Sequence, residues 1–279
     1  MHRASSRAFS LGQTARDRLR GNAFEATARN SSAHADGLCA EWLARRAVDH
    51  ELEVHRAVRK ADKVGTDPQS NGSSRTHDAD QQCTRSANAY HRQFLHTFMC
   101  CEVLASIEIA TRAAKALRFI GWSEILARAP EATGASPVPY RLPVPSGGYL
   151  VPDGIFGIEY CSEGTKSYRF FSLEADRGTM PVSRSKPGQT SYLGKLSVYD
   201  EIIRQQIHKS HWAVPNLLVL TVTTSATRMS EIVAKLGAGN PAFLFKATEE
   251  RSLTAPMSEL LTSPWQRAGH APISIAESH

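Results

Sequence analysis

The stretches "YLVPDGIFGIEY" (149–160) and "SYRFFSLEAD" (167–176) constrain this chain more than any others. Both are rich in aromatic and apolar residues of the kind that favour strands. Only "CSEGTK" (161–166) separates them, and its Glu-Gly pair predicts a hairpin turn. Alternation along a strand sets Val151, Asp153, Ile155 and Glu159 on one face of the first run. It sets Tyr168, Phe170, Ser172, Glu174 and Asp176 on one face of the second. Closing the hairpin brings Asp153 and the Glu174/Asp176 pair to one side of a sheet, near one end. Carboxylates buried there must be hydrogen-bonded, ion-paired, protonated or bound to a metal.

The rest of the chain supplies the layers around that hairpin. Residues 89–117 carry Phe94, Leu95, Phe98, Met99, Val103, Leu104, Ile107, Ile109 and Ala110, which predicts a long helix with a broad apolar face. "YRLPV" (140–144) is a candidate short strand in a stretch broken by proline and glycine. A helix is expected over 190–208, with Tyr192, Leu196, Tyr199, Ile203 and Ile207 on one stripe and Thr190 or Ser191 as cap. "NLLVLTVTT" (216–224) reads as a buried strand, 225–239 as a helix ended by glycine, and "PAFLFKAT" (241–248) as a last strand. This order predicts a mixed α/β fold. Helices flank a central sheet that is antiparallel at its start and parallel after the crossover helix.

Residues 1–88 read as a basic N-terminal segment with one helix (37–62, carrying Leu38, Trp42, Leu43, Val48, Leu52 and Val58) and a disordered linker (65–86). The α/β domain is expected over 89–250 and a C-terminal extension over 251–279. The first twenty residues hold five arginines and one acid; a poorly ordered basic arm and a transit peptide both fit that composition.

Bulk composition narrows the function classes. A hydrophobic content of 41% supports a real core. The net charge of +6 suits a polyanionic partner. Five cysteines without a CxxC pair predict neither a disulfide framework nor a structural zinc site, and fit a reducing cytoplasm. Cys100 and Cys101 read as small buried side chains of the long helix. No apolar run approaches the length of a membrane span, "NLLVLTV" (216–222) being strand-sized, so no membrane partner is expected. His208 and His211 read as residues near a helix C-terminus. No G-x-x-x-x-G-K-[ST] or G-x-S-x-G motif is present, so an ATPase or nucleophile-elbow hydrolase has no support.

The acids allow two readings from spacing alone. Asp153-Gly154 and "ADRG" (175–178) mark only a turn and a strand end, or the three acids share a divalent cation that relieves their repulsion. Oxygen-only donors suit Mg²⁺ or Mn²⁺. Pro152-Asp153, an apolar strand and Glu174-x-Asp176 resemble the signature of the PD-(D/E)XK nuclease-like superfamily. "VPDGIFGIEY", "FFSLEADRGTMP" and "YLGKLSVYDEI" together resemble the bacterial replication-relaxation family. That resemblance covers about 90–250.

The resemblance implies a restriction-endonuclease-like fold, a DNA partner and a role in a plasmid or mobile element. It makes Asp153 and Glu174 metal-binding and catalytic carboxylates, with Asp176 a further metal ligand. Active nucleases of the superfamily carry Lys where this chain has Asp176; Lys195 replaces it from the helix, and Tyr199, four residues on, shares its face and supports it. Arg177, Arg184 and Lys186 are the candidate phosphate contacts. The family's winged-helix-like DNA-binding region has no convincing counterpart in 1–88. Three functions are therefore open: metal-dependent phosphodiester hydrolysis, a non-catalytic DNA-binding or regulatory module, and a protein-interaction factor without DNA contact.

Overall fold

A computed structural model describes residues 75–162, 164–184, 190–248 and 257–277. The helix expected at 37–62 and Lys186 lie outside these residues.

Helix α1 (Arg75–Ala113) is the first described element. It takes in residues 75–86, expected to be linker. Those residues are polar, but the last glycine and proline before Ala113 are Gly72 and Pro68, so nothing in the stretch blocks a helix. The helix ends at Ala113 rather than Leu117, and "LRFI" instead forms strand β1 (Leu117–Ile120). Its aromatic and branched side chains suit the edge of the sheet, where it pairs antiparallel with β4 (Gly154–Ser162). Between them lie α2 (Trp122–Arg128), α3 (Glu131–Gly134) and a two-stranded ladder of β2 (Leu142–Pro143) and β3 (Tyr149–Leu150). The strand expected over 149–160 is thus divided, because Pro152 has no N–H to give a ladder.

Strands β4 and β5 (Thr165–Asp176) form the expected hairpin, in register from Ser162 opposite Thr165 to Gly154 opposite Leu173. Gly164 takes φ 81° in the turn, a conformation open to glycine at little steric cost. Helix α4 (Tyr192–Arg204) follows, with Ser191 Oγ accepting the Gly194 N–H at 3.2 Å. It stops four residues earlier than expected. Gln206 adopts φ 58°, outside the right-handed helical region, and α5 (Ile207–Trp212) begins after it. The chain continues through β6 (Leu218–Thr223), α6 (Ala226–Leu236), β7 (Phe243–Ala247), α7 (Glu259–Thr262), β8 (Trp265–Arg267) and β9 (His270–Ile273).

The sheet runs β1-β4-β5-β6-β7-β8-β9. It is antiparallel up to β5, parallel across β5–β6–β7, and antiparallel again to β8 and β9. Residues 257–277, expected as an extension, complete this sheet and its core. Tyr160 Oη donates to Ile275 O at 2.6 Å, and the Met257 N–H donates to Ser106 Oγ at 3.0 Å.

Strand alternation divides the core into two layers. On one face, Phe156, Ile158, Phe171, Leu173, Leu220 and Val222 meet Met99, Val103, Leu104 and Ile107 of α1, with Leu260 and Leu261 of α7. On the other, Ile155, Phe170, Val219 and Phe245 meet Leu196, Tyr199 and Ile202 of α4, Trp212 of α5 and Ile232 of α6. The segment His91–Ala113 is long and apolar enough to cross a membrane, contrary to the sequence expectation. Its buried side chains form one core layer of the sheet, which is also how the core helix of a globular domain is composed.

Phe156 is fully buried and stacks between Phe119 and Phe171, at centroid distances of 5.4 and 5.0 Å. Phe156→Ala is expected to lower unfolding free energy by about 3–5 kcal/mol, read from urea denaturation.

Candidate functional site

The end of the sheet where β5 finishes collects three buried acids. Asp153 immediately precedes β4, just beyond the last paired residues, Gly154 opposite Leu173. Glu174 and Asp176 occupy the last turns of the alternation on β5. All three are at most 5% exposed. The hairpin brings them to one end but not to one side as expected: Asp153 meets the helix of one core layer, whereas Glu174 and Asp176 meet helices of the other.

Glu174 faces α4. Lys195 Nζ donates to its Oε2, and Tyr199 Oη donates to its Oε1. Tyr199 Oη also lies 3.1 Å from Ser172 Oγ, so the phenol bridges the strand and its carboxylate. Lys195 and Tyr199 are one helical turn apart and reach the same group, as their spacing predicts. Burial raises the Glu174 carboxyl to about 7; Lys195 opposes the rise and the Asp153 charge adds to it. Burial, followed by the Glu174 charge, holds the Tyr199 phenol well above its ordinary value.

Asp153 faces α1. Its backbone N–H donates to Leu173 O at 3.0 Å, and its Oδ2 accepts the Ala175 N–H at 2.9 Å. Its Oδ1 lies 3.2 Å from His96 Nε2 on α1. Cys100, one turn along α1, places Sγ 3.8 Å from the same nitrogen. Among the described residues, His96, Cys100 and Asp153 are the group of potential metal ligands that comes together, all within 4.8 Å.

Asp176 is taken up differently from the expected metal ligand. Arg228 of α6 donates through Nε to Oδ2 at 2.7 Å and through Nη2 to Oδ1 at 3.3 Å. The Gly178 N–H adds a third donor at 3.0 Å. A bidentate guanidinium fulfils what the buried carboxylate needs. The helix residue Arg228 carries no motif that announces it; only the fold brings it across.

The remaining expected residues separate from this centre. Arg177 is half-buried and donates to Arg92 O at 3.4 Å, while Arg184 is exposed. Glu159 shares the alternation of the acids but belongs to the turn end of the hairpin. Lys166 and Arg118 pair with it and lower its carboxyl to about 2. His208 and His211 lie in α5, where burial lowers both imidazoles; His211 Nε2 lies 3.2 Å from Pro139 O. His96 was missed by the sequence reading, although its i, i+4 spacing to Cys100 is visible in "HTFMC" (96–100).

A mixed α/β scaffold with an ionic cluster at one sheet end defines the class of protein. The family model for replication-relaxation matches residues 34–217, more than half of the chain, so the protein belongs to the replication-relaxation family. No curated protein and no solved structure matches it.

Two outcomes test the electrostatics of this end. Arg228→Ala strands the buried Asp176 charge and is expected to cost about 3–5 kcal/mol of stability in urea denaturation. For Glu174, the folded-state value near 7 lies above the ordinary 4.5, so the folded chain binds that proton more tightly. The resulting stability is complete below pH 4.5 and is lost as pH rises through about 7. Glu174→Gln removes this dependence. Denaturation midpoints in chelated buffer from pH 4.5 to 8 are expected to fall for the wild type relative to the variant, levelling above pH 7.

Proposed function

We propose that this chain is a DNA-associated replication protein of a plasmid or mobile element, and that its Asp153–Glu174–Lys195 site hydrolyses phosphodiester bonds with a divalent cation on a restriction-endonuclease-like core. One observation carries the reading: Lys195 reaches Glu174 from α4, at the sheet end where Asp153 accepts the N–H of the next residue, Ala175. The lysine absent from the strand, where Asp176 stands, is supplied by the helix. The family membership supports a replication-related DNA role.

The donor chemistry fits Mg²⁺ or Mn²⁺ at two carboxylates, Asp153 and Glu174. Asp176 fits poorly as a third, because Arg228 occupies both of its oxygens. A bound cation of this kind lowers the pKa of water and stabilises charge on a scissile phosphate. The chain's own groups do the rest. Lys195 is the more exposed partner of the pair, with 24% of its side chain accessible against 3% for Glu174. That exposure supports a role for Lys195 in meeting phosphate oxygen and orienting an attacking water. Tyr199 donates to the other Glu174 oxygen and helps to position the carboxylate. Arg177, Arg184 and Lys186 supply salt-sensitive backbone contacts.

A second reading is a non-catalytic DNA-binding module. It is favoured by the internal pairing of both Glu174 oxygens and by the Asp176–Arg228 pair. Supercoiled-plasmid nicking with Mg²⁺ and Mn²⁺ decides between them. Wild type is expected to nick only with metal, Asp153→Ala and Glu174→Ala to fall to background, and Lys195→Ala to lose about 10²–10³-fold in rate. Folded wild type that binds DNA salt-dependently without nicking leaves the second reading. Absence of DNA binding removes both.

A further inference from the structure

We infer that His96, Cys100 and Asp153 form a second metal centre, a three-ligand site for Zn²⁺ or a cation of similar softness, with its fourth position open to solvent. The centre shares Asp153 with the reading above but requires neither Glu174 nor Lys195, nor any hydrolysis.

The first support is geometric. His96 and Cys100 project from successive turns of one helix, and Asp153 is fixed against them by two hydrogen bonds to the β5 backbone, its own N–H donating to Leu173 O and its Oδ2 accepting the Ala175 N–H. A tetrahedral site with metal–ligand lengths of about 2.0–2.3 Å needs its nitrogen roughly 3.3 Å from an oxygen and roughly 3.6 Å from a sulfur. His96 Nε2 lies 3.2 Å from Asp153 Oδ1 and 3.8 Å from Cys100 Sγ. The three ligand atoms already fall within 4.8 Å of one another, so a small closing movement completes the triangle.

The second support is chemical. An imidazole nitrogen directs one proton or one lone pair, and His96 Nε2 faces both a carboxylate and a thiol with it. It serves one of them at a time. A cation at the centre satisfies all three groups together and takes the thiol as thiolate, releasing its proton. The mixed N, S and O donors select a borderline transition metal over Mg²⁺. Access runs past His96, whose side chain is 27% exposed, while Cys100 and Asp153 lie behind it.

Co²⁺ is the probe, added to the full chain in a background with Cys39, Cys83 and Cys161 changed to Ser. One equivalent is expected to produce a near-ultraviolet sulfur-to-cobalt charge-transfer band and visible bands of tetrahedral intensity, displaced by Zn²⁺ but not by Mg²⁺. Cys100→Ser and His96→Gln are each expected to abolish the thiolate band, whereas Glu174→Gln and Cys101→Ser leave it intact. No band at stoichiometric Co²⁺, or a band that survives either of the first two substitutions, overturns the proposal. Cys100 is buried in the core, so circular dichroism accompanies each variant. If Cys100→Ser does not fold, the half-exposed His96→Gln decides alone. Mg²⁺-dependent nicking by Cys100→Ser reports on the hydrolytic reading separately, so the two proposals fail independently.

Discussion

The ion pair between Glu174 and Lys195 is the contact on which this end of the molecule depends. A carboxylate with almost no access to water needs either a proton or a nearby cation. Lys195 gives that cation from outside the sheet, and Tyr199 closes the other oxygen. The pair therefore fixes more than charge. It ties the last turns of β5 to one face of α4, and α4 leads into α5 and the crossover to β6. The pair thus ties the acidic end of β5 to the helix that leads to β6, beside the direct β5–β6 ladder.

Strand β5 occupies a special position in the topology. It is antiparallel to β4 on one side and parallel to β6 on the other, and its C-terminal end coincides with the start of β4 and the end of β6. Three elements consequently open toward the same rim. Helix α1 covers one face of that rim and α4 and α6 the other, so each acid is reached by a different helix: Asp153 by α1, Glu174 by α4 and Asp176 by α6. Packing separates the three carboxylates, although alternation alone puts them together.

How much of this was legible depended on the range of the signal. The hairpin, the parallel pairing after α4 and the shared Lys195–Tyr199 face follow from local periodicity, which sequence displays directly. Strand β1 did not: four residues after a long helix carry too little pattern, and only the free edge of β4 makes them a strand. The start of α1 at Arg75 was hidden because low apolar content resembles a linker, although absence of glycine and proline was the better sign. The break at Gln206 was hidden for the opposite reason, since an apolar stripe continues through it while the backbone does not. Arg228 and His96 reach the acids across 52 and 57 residues of chain, distances over which no motif links them.

Asp153 stands where two coordination chemistries meet. With Glu174 it offers oxygen only, a hard set suited to Mg²⁺ or Mn²⁺; with His96 and Cys100 it offers nitrogen and sulfur besides, a softer set. Its Oδ2 is held by the Ala175 N–H and its Oδ1 faces His96, so the carboxylate as it stands is turned toward the softer set. A cation between Asp153 and Glu174 must also compete with Lys195, whose ammonium already neutralises Glu174. Competition of that kind favours metal only when something draws Lys195 away, and a phosphate group is the ligand best matched to do so. Under the proposed hydrolytic reading, substrate and hard cation would enter together, whereas the proposed His96 centre asks for no such exchange.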